Sequence, residues 1–263
     1  MPHWLVDNAD PRRDYSLADY VRDAEVAVAG ILGRGRVPVV VGGTGMYLRG
    51  LLKGVVAAPP RDEALRVRLR AQVARFGSPR VHRFLASIDA VSAARVAPGD
   101  AQRVVRALEL ALSSEETWSG RLARMGTWSD VAERFRAMKF GLDLDREVLA
   151  GRLAARVDAF FAADLPGEVD RLMASGVPET ANAFKGIGYR EIVRAKLERR
   201  DPGETREAIV VATRQYAKRQ RTWFRKEPGL VWLDAALGPD VLAEAIVTAW
   251  YAAGNKGGAA SAC

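Results

Sequence analysis

The chain has 263 residues, about half of them apolar and 27% charged, which is enough for one good core or for a core carrying a smaller inserted domain. No apolar stretch approaches the roughly 20 residues of a membrane helix, and the opening segment MPHWLVDNADPRRDY has no apolar run of a secretory signal. The single cysteine, Cys263, excludes an internal disulfide and agrees with a cytosolic protein, while a net charge of +8 asks where the cations sit.

In chain order, residues 36–41 (RVPVVV) are β-branched and almost wholly apolar, and predict a strand buried on both faces of a parallel sheet. The turn Gly42-Gly43-Thr44-Gly45 follows, and then Met46 to Leu52 predicts a helix. Strand, glycine turn and helix start together point backbone N–H groups at an anion. Thr44 can offer a hydroxyl there, or it can be an ordinary helix cap, with the glycines only turning the chain. The turn is not a Walker A loop, because no Gly-Lys-Ser/Thr follows it.

Residues 54–60, ending in two prolines, predict a linker. From Arg61 to about Leu112 apolar residues recur at helical spacing, as in Leu65, Leu69 and Val73, which predicts a small helical insertion. Asp100 is placed to cap a helix on which Gln102 and Arg106 share a face, with Arg103 beside them. Leu108, Ala111 and Leu112 form its apolar side. Such a Gln/Arg cluster can read bases and phosphates, or can be plain surface. Trp118 and Trp128 read as packing residues. Residues 139–145 alternate and predict a strand returning to the core. One amphipathic helix is expected from Arg146 to about Ala174, carrying Arg152 and Arg156. The tail from Gly257 to Cys263 reads as disordered.

The charge is concentrated near the C-terminus. Between Lys185 and Lys226 there are 13 Lys/Arg against 5 Asp/Glu, so this segment carries the whole excess. That suits a polyanion such as RNA or a diphosphate, and equally a solvated helix face. Residues 204–225 predict one long helix, with Arg214, Lys218, Arg221 and Arg225 in one basic stripe. Arginine forks fit phosphate. Tyr216, Trp223 and Phe224 could stack on bases, although at least two of these rings are expected in the core.

Several motifs occur in one order: Pro2-His3 with Asp7, then VGGTGMY (41–47), QRVVR (102–106), KGIGYR (185–190) and TRQYAKRQRTWFR (213–225). Together they resemble the tRNA dimethylallyltransferases, from His3 to about Asp234. The resemblance implies an α/β fold. Its core is a parallel sheet like that of P-loop NTPases, here without the first strand and phosphate loop, and a small all-helical domain is inserted. The expected division is residues 1–58 and 136–255 for the core, 59–135 for the insertion and 256–263 for the tail. The implied reaction transfers a dimethylallyl group from dimethylallyl diphosphate to N6 of adenosine 37 of tRNA, assisted by Mg²⁺. The adenine must leave its stack to be reached.

By resemblance, Thr44 lies at the reacting centre. Arg66, Gln102, Arg103, Arg106, Lys185, Gly188, Tyr189, Arg190, Lys218, Arg219, Arg221, Trp223 and Arg225 face tRNA, and Arg156 is a candidate diphosphate contact. No residue is assigned to a metal. The partners implied are the anticodon stem-loop and dimethylallyl diphosphate, with no membrane, for a cytoplasmic monomer. Family members also carry a Gly-x-Thr-x-x-Gly-Lys-Ser/Thr loop and an Asp-Ser-x-Gln segment that this sequence does not contain. The expectation is a chain that starts late relative to its family, inactive and poorly soluble as it stands, with apolar surface uncovered. The competing expectations are a non-catalytic RNA-binding fragment and an enzyme that prenylates free adenine nucleotides.

Overall fold

Helices dominate because the sequence supplies their start signals one after another. Ser16 opens α1 (Leu17–Leu32) with a reciprocal capping box, its hydroxyl accepting from the Asp19 N–H while Asp19 accepts from the Ser16 N–H. Aspartates at 62, 89, 100, 145, 164 and 201 each cap a later helix by accepting from backbone N–H groups of its first turn. The computed structural model describes residues 2–55, 62–113, 116–128 and 130–254. The expected linker residues 56–60 and the C-terminal tail lie outside these.

The chain divides into two units, residues 1–52 with 135–263, and residues 53–134. In the first, α1 is followed by α2 (Gly45–Lys53), whose last residue falls at the division. Tyr20 and Tyr47 stack with ring centroids 4.3 Å apart. The second unit holds α3 (Glu63–Phe76), α4 (Ser78–Ile88), α5 (Ala90–Ala94), α6 (Ala101–Leu112) and α7 (Trp118–Met125). The first unit resumes with β1 (Lys139–Asp143), α8 (Arg146–Ala162), α9 (Leu165–Ala174), α10 (Tyr189–Glu198), α11 (Pro202–Phe224), β2 (Leu230–Asp234) and α12 (Pro239–Ala252). β1 and β2 pair in parallel, with Lys139 opposite Leu230 and Asp143 opposite Asp234. Among the described residues no helix is long and apolar enough to cross a membrane.

Each unit has its own core. In the first, α8, α9, α10 and α11 bury Val157, Leu165, Val169, Ile192, Ile209 and their neighbours. In the second, Leu69, Val81, Leu85, Val104 and Leu108 close the centre, with Leu65 and Val73 packed against them. Trp128 donates its indole N–H to the Gly54 carbonyl at 2.9 Å.

Three local expectations are corrected. Residues 36–41 form no strand, and Val41 is 90% exposed. A strand needs a neighbour to take its N–H and C=O groups, and neither β1 nor β2 pairs with this segment. The helix expected over 146–174 is two helices. Asp164 adopts φ 60°, ψ 43° and caps α9, and Pro166 has no N–H to continue a helix. On α6, Leu112 is exposed, while Leu108 and Ala111 are buried. Apolar side chains also stand at the surface of the first unit, among them Val39, Leu142, Val231 and Val247.

The glycine turn, the basic helix and the Gln/Arg helix

α11 is a 23-residue helix capped by Asp201, which accepts from the Gly203 and Glu204 N–H groups. Its first half is anchored through buried Ile209 and Val210. Its second half meets the Gly42–Gly45 turn. Gln220 Nε2 donates to the Gly43 carbonyl at 3.1 Å, and the Thr44 hydroxyl lies 3.4 Å from the Tyr216 hydroxyl. A Cβ on Gly43 would stand 2.0 Å from Gln220 Nε2, and one on Gly45 would stand 2.0 Å from Trp223 Nε1. The glycines are there because another helix approaches this closely. Thr44 remains exposed, and its carbonyl accepts from the Tyr47 and Leu48 N–H groups at the start of α2.

An ion-pair cluster closes the same region. Arg49 on α2 donates to Glu227 Oε2 at 2.6 Å and lies 4.8 Å above the Trp223 ring. Lys139 Nζ stands 3.3 Å from Glu227 Oε1. Burial pushes the Glu227 carboxyl up, but Arg49 and then Lys139 outweigh it and hold the group below the usual carboxylate range. Trp223 is 38% exposed, and Tyr216 and Phe224 are half-buried, so the expectation that two of the three rings are core is corrected. Tyr216 and Trp223 meet the turn instead.

The cations of α11 separate by partner. Arg206 pairs with Asp158, and Arg221 Nη2 donates to Asp143 Oδ2 at 2.7 Å. Arg214, Lys218, Arg219, Arg225 and Lys226 have no carboxylate at ion-pairing distance among the described residues. Arg219 lies 5.5 Å over the Tyr216 ring.

Other residues expected to face tRNA also have partners within the chain. Gly188 is buried, caps α10 at φ 96°, and gives its N–H to Glu191 Oε2 at 2.8 Å. The Tyr189 hydroxyl donates to Glu168 at 2.6 Å, and burial followed by that bond pushes its pKa up to about 12. Arg190 pairs with Glu191, and Lys185 donates to Asn182. Arg156 is exposed on α8, 5.4 Å over the Phe160 ring.

In the second unit Asp100 caps α6 by accepting from the Arg103 N–H at 3.1 Å. Gln102 and Arg103 are exposed, Arg103 pairing with Asp100. Arg66 and Arg106 converge on Glu109, whose side chain is 1% exposed. Burial acts to raise the Glu109 carboxyl, and the two guanidiniums overcome this and lower it.

Sequence reading missed Arg49, Glu227, Gln220, Asp143 and Glu109. Only Glu109 carried a local signal, standing three residues after Arg106 on one helix. Among the described residues no group of three His, Cys, Asp or Glu side chains could hold a metal ion, so they form no cage for Mg²⁺.

The family model described as IPP transferase matches residues 1–227. A tRNA dimethylallyltransferase of Solibacter usitatus is 41% identical over 248 residues, 92% of this chain and 78% of the relative. One from Geobacter metallireducens is 39% identical over 234 residues, 89% of this chain and 75% of its own. Among solved structures, the full-length tRNA isopentenylpyrophosphate transferase of Bacillus halodurans is 30% identical, with a TM-score of 0.64 covering 97% of this chain and 78% of that one. A eukaryotic dimethylallyltransferase acting on tRNA shares the fold at a TM-score of 0.74 and 21% identity, covering 97% of this chain and 67% of its own. The chain belongs to the IPP transferase family, and its relatives are tRNA dimethylallyltransferases.

Proposed function

We propose that this chain serves tRNA modification, holding the anticodon stem-loop while a dimethylallyl group passes from dimethylallyl diphosphate to N6 of adenosine 37. The observation that carries the reading is the seat of the Thr44 turn on α11. The turn expected at the reacting centre and the helix bearing unpaired cations are one packed assembly.

In the reaction the N6 nitrogen bonds to the allylic carbon, the carbon–oxygen bond to diphosphate breaks, and one amine proton leaves. Thr44 would meet the reacting groups with its exposed hydroxyl, which Tyr216 can orient by accepting or donating one hydrogen bond. Arg214, Lys218, Arg219 and Arg225 would hold RNA phosphates, and Arg221 would stand behind them on Asp143. Gln102, Arg103 and Arg106 on α6 would contact the stem-loop from the second unit, as would Lys185 and Arg190 from the first. Arg156 would meet the diphosphate. Magnesium would supply charge neutralisation of that leaving group.

The experiment is binding followed by transfer. A fluorescent anticodon stem-loop is titrated with the chain, against AMP as competitor, over a range of salt. The reading expects stem-loop binding that weakens steeply with salt and is not displaced by AMP. Displacement by AMP at similar concentration would favour a free-nucleotide prenyltransferase. Incubating the bound stem-loop with radiolabelled dimethylallyl diphosphate and Mg²⁺ then reports transfer, and binding without transfer would favour a grip that lacks the chemistry.

A further inference from the structure

Glu109 is an unusual residue for an RNA-facing helix. It is an acid in the α6 segment that carries Gln102, Arg103 and Arg106, and its side chain is 1% exposed. A carboxylate taken out of water is costly unless it is paired and hydrogen-bonded. Here the pairing is thorough. Arg66 of α3 sends Nη2 to both carboxylate oxygens, at 2.9 and 2.7 Å, and is itself 12% exposed. Arg106 of α6 brings Nη1 to 3.0 Å from Oε2 and is 38% exposed. That contact is an ion pair without hydrogen-bond alignment, since Nη1 has no hydrogen-bond partner. The two arginines are therefore not equivalent. Arg66 is consumed, while Arg106 has Nη1 buried against Glu109 and the rest of its side chain partly exposed.

We infer that Glu109 is a positioning residue for RNA contact, clamped by Arg66 and holding the Arg106 guanidinium in place for a phosphate of the bound stem-loop. The inference rests on the tRNA reading above and deepens it. An arginine side chain free in solvent gives up rotamer entropy when fixed. One already fixed by a buried carboxylate gives up less on binding, which is the advantage of preorganisation. Arg66 belongs to this device as the anchor of Glu109 and takes no RNA contact of its own.

The test separates positioning from plain charge because the two act in opposite directions. Glu109→Gln keeps the side-chain volume and raises the net charge by one, so electrostatics alone would tighten RNA binding. Positioning expects weaker binding of the anticodon stem-loop by about tenfold, with the slope of log affinity against log salt shallower by about one phosphate contact. Arg106→Gln, a change at a partly exposed side chain, is expected to give the same loss and the same slope. The two changes together should lose no more than either alone.

Unchanged or tighter binding by folded Glu109→Gln would overturn the inference. Where that variant fails to fold, Arg106→Gln decides, and unchanged affinity and slope in it would equally overturn the proposal. Failure of the unaltered chain to bind the stem-loop at all would instead remove the tRNA reading, and this inference with it.

Discussion

The Trp223 indole nitrogen lies where a side chain on Gly45 would have to begin, 2.0 Å from an ideal Cβ there. The tryptophan that looked like a base-stacking ring is thus one jaw of a grip on the turn that carries Thr44. Gly45→Ala must move Trp223 and the Arg49 guanidinium stacked on it, and overpacking of this kind costs about 1–3 kcal/mol. Gly42, two residues before Thr44, has open space around its Cβ position, so Gly42→Ala should stay within about 0.5 kcal/mol of the parent. Chemical denaturation of both variants measures the contrast, and equal loss in the two would refute the grip.

Glu227 ties α2, β1 and the end of α11 together through Arg49 and Lys139. Removing Arg49 leaves a buried carboxylate with Lys139 alone. Arg49→Ala should therefore cost about 2–3 kcal/mol, somewhat below the loss on breaking a fully buried pair because Arg49 is itself partly exposed. Arg49→Ala/Glu227→Gln should recover part of it, because the second change removes the stranded charge. A double mutant no more stable than Arg49→Ala would show that the carboxylate is not the source of the loss.

Acid should weaken the second unit through Asp89. This buried carboxylate accepts from the Ser92 N–H and hydroxyl and from the Ser119 N–H. Burial raises its pKa, but those bonds prevail and bring it from 3.8 to about 2. A depressed folded-state value gives stability that is complete above the unfolded value and is lost as pH falls from about 4 towards 2. The amount is about 2 kcal/mol. Asp89→Asn should be less stable at neutral pH and should show a flatter decline over that window, as measured by unfolding midpoints at pH 5, 4, 3 and 2.

The sequence exposed what depends on local spacing and hid what depends on distant partners. Asp100 as a cap, the long α11 and the β1 strand were legible because capping residues and periodicity act within a few positions. The break at Asp164 was hidden by an amphipathic pattern that continues through it, although Pro166 marked it. Residues 36–41 have the composition of a buried strand, but composition does not supply a pairing neighbour. Arg49 with Glu227, and Arg66 with Glu109, lie 178 and 43 residues apart. No spacing rule reaches that far. Motif order identified the family, and only the folded chain distinguished arginines that are free from arginines already engaged.

That distinction makes the basic helix testable residue by residue. Arg214, Lys218 and Arg225 have no carboxylate partner among the described residues, whereas Arg206 on the same helix pairs with Asp158 through two hydrogen bonds at 2.5 and 2.9 Å. A free cation gives its full charge to RNA, while a paired one must first leave its carboxylate. Alanine at 214, 218 or 225 should each weaken stem-loop binding several-fold and lower the salt slope by about one. Alanine at 206 removes the same formal charge, yet should shift binding less and stability more. Anisotropy titrations at three salt concentrations, beside thermal melts of the same variants, give both readouts. If alanine at 206 reduces affinity and salt slope as much as alanine at 214, pairing within the fold does not determine which cations meet the nucleic acid.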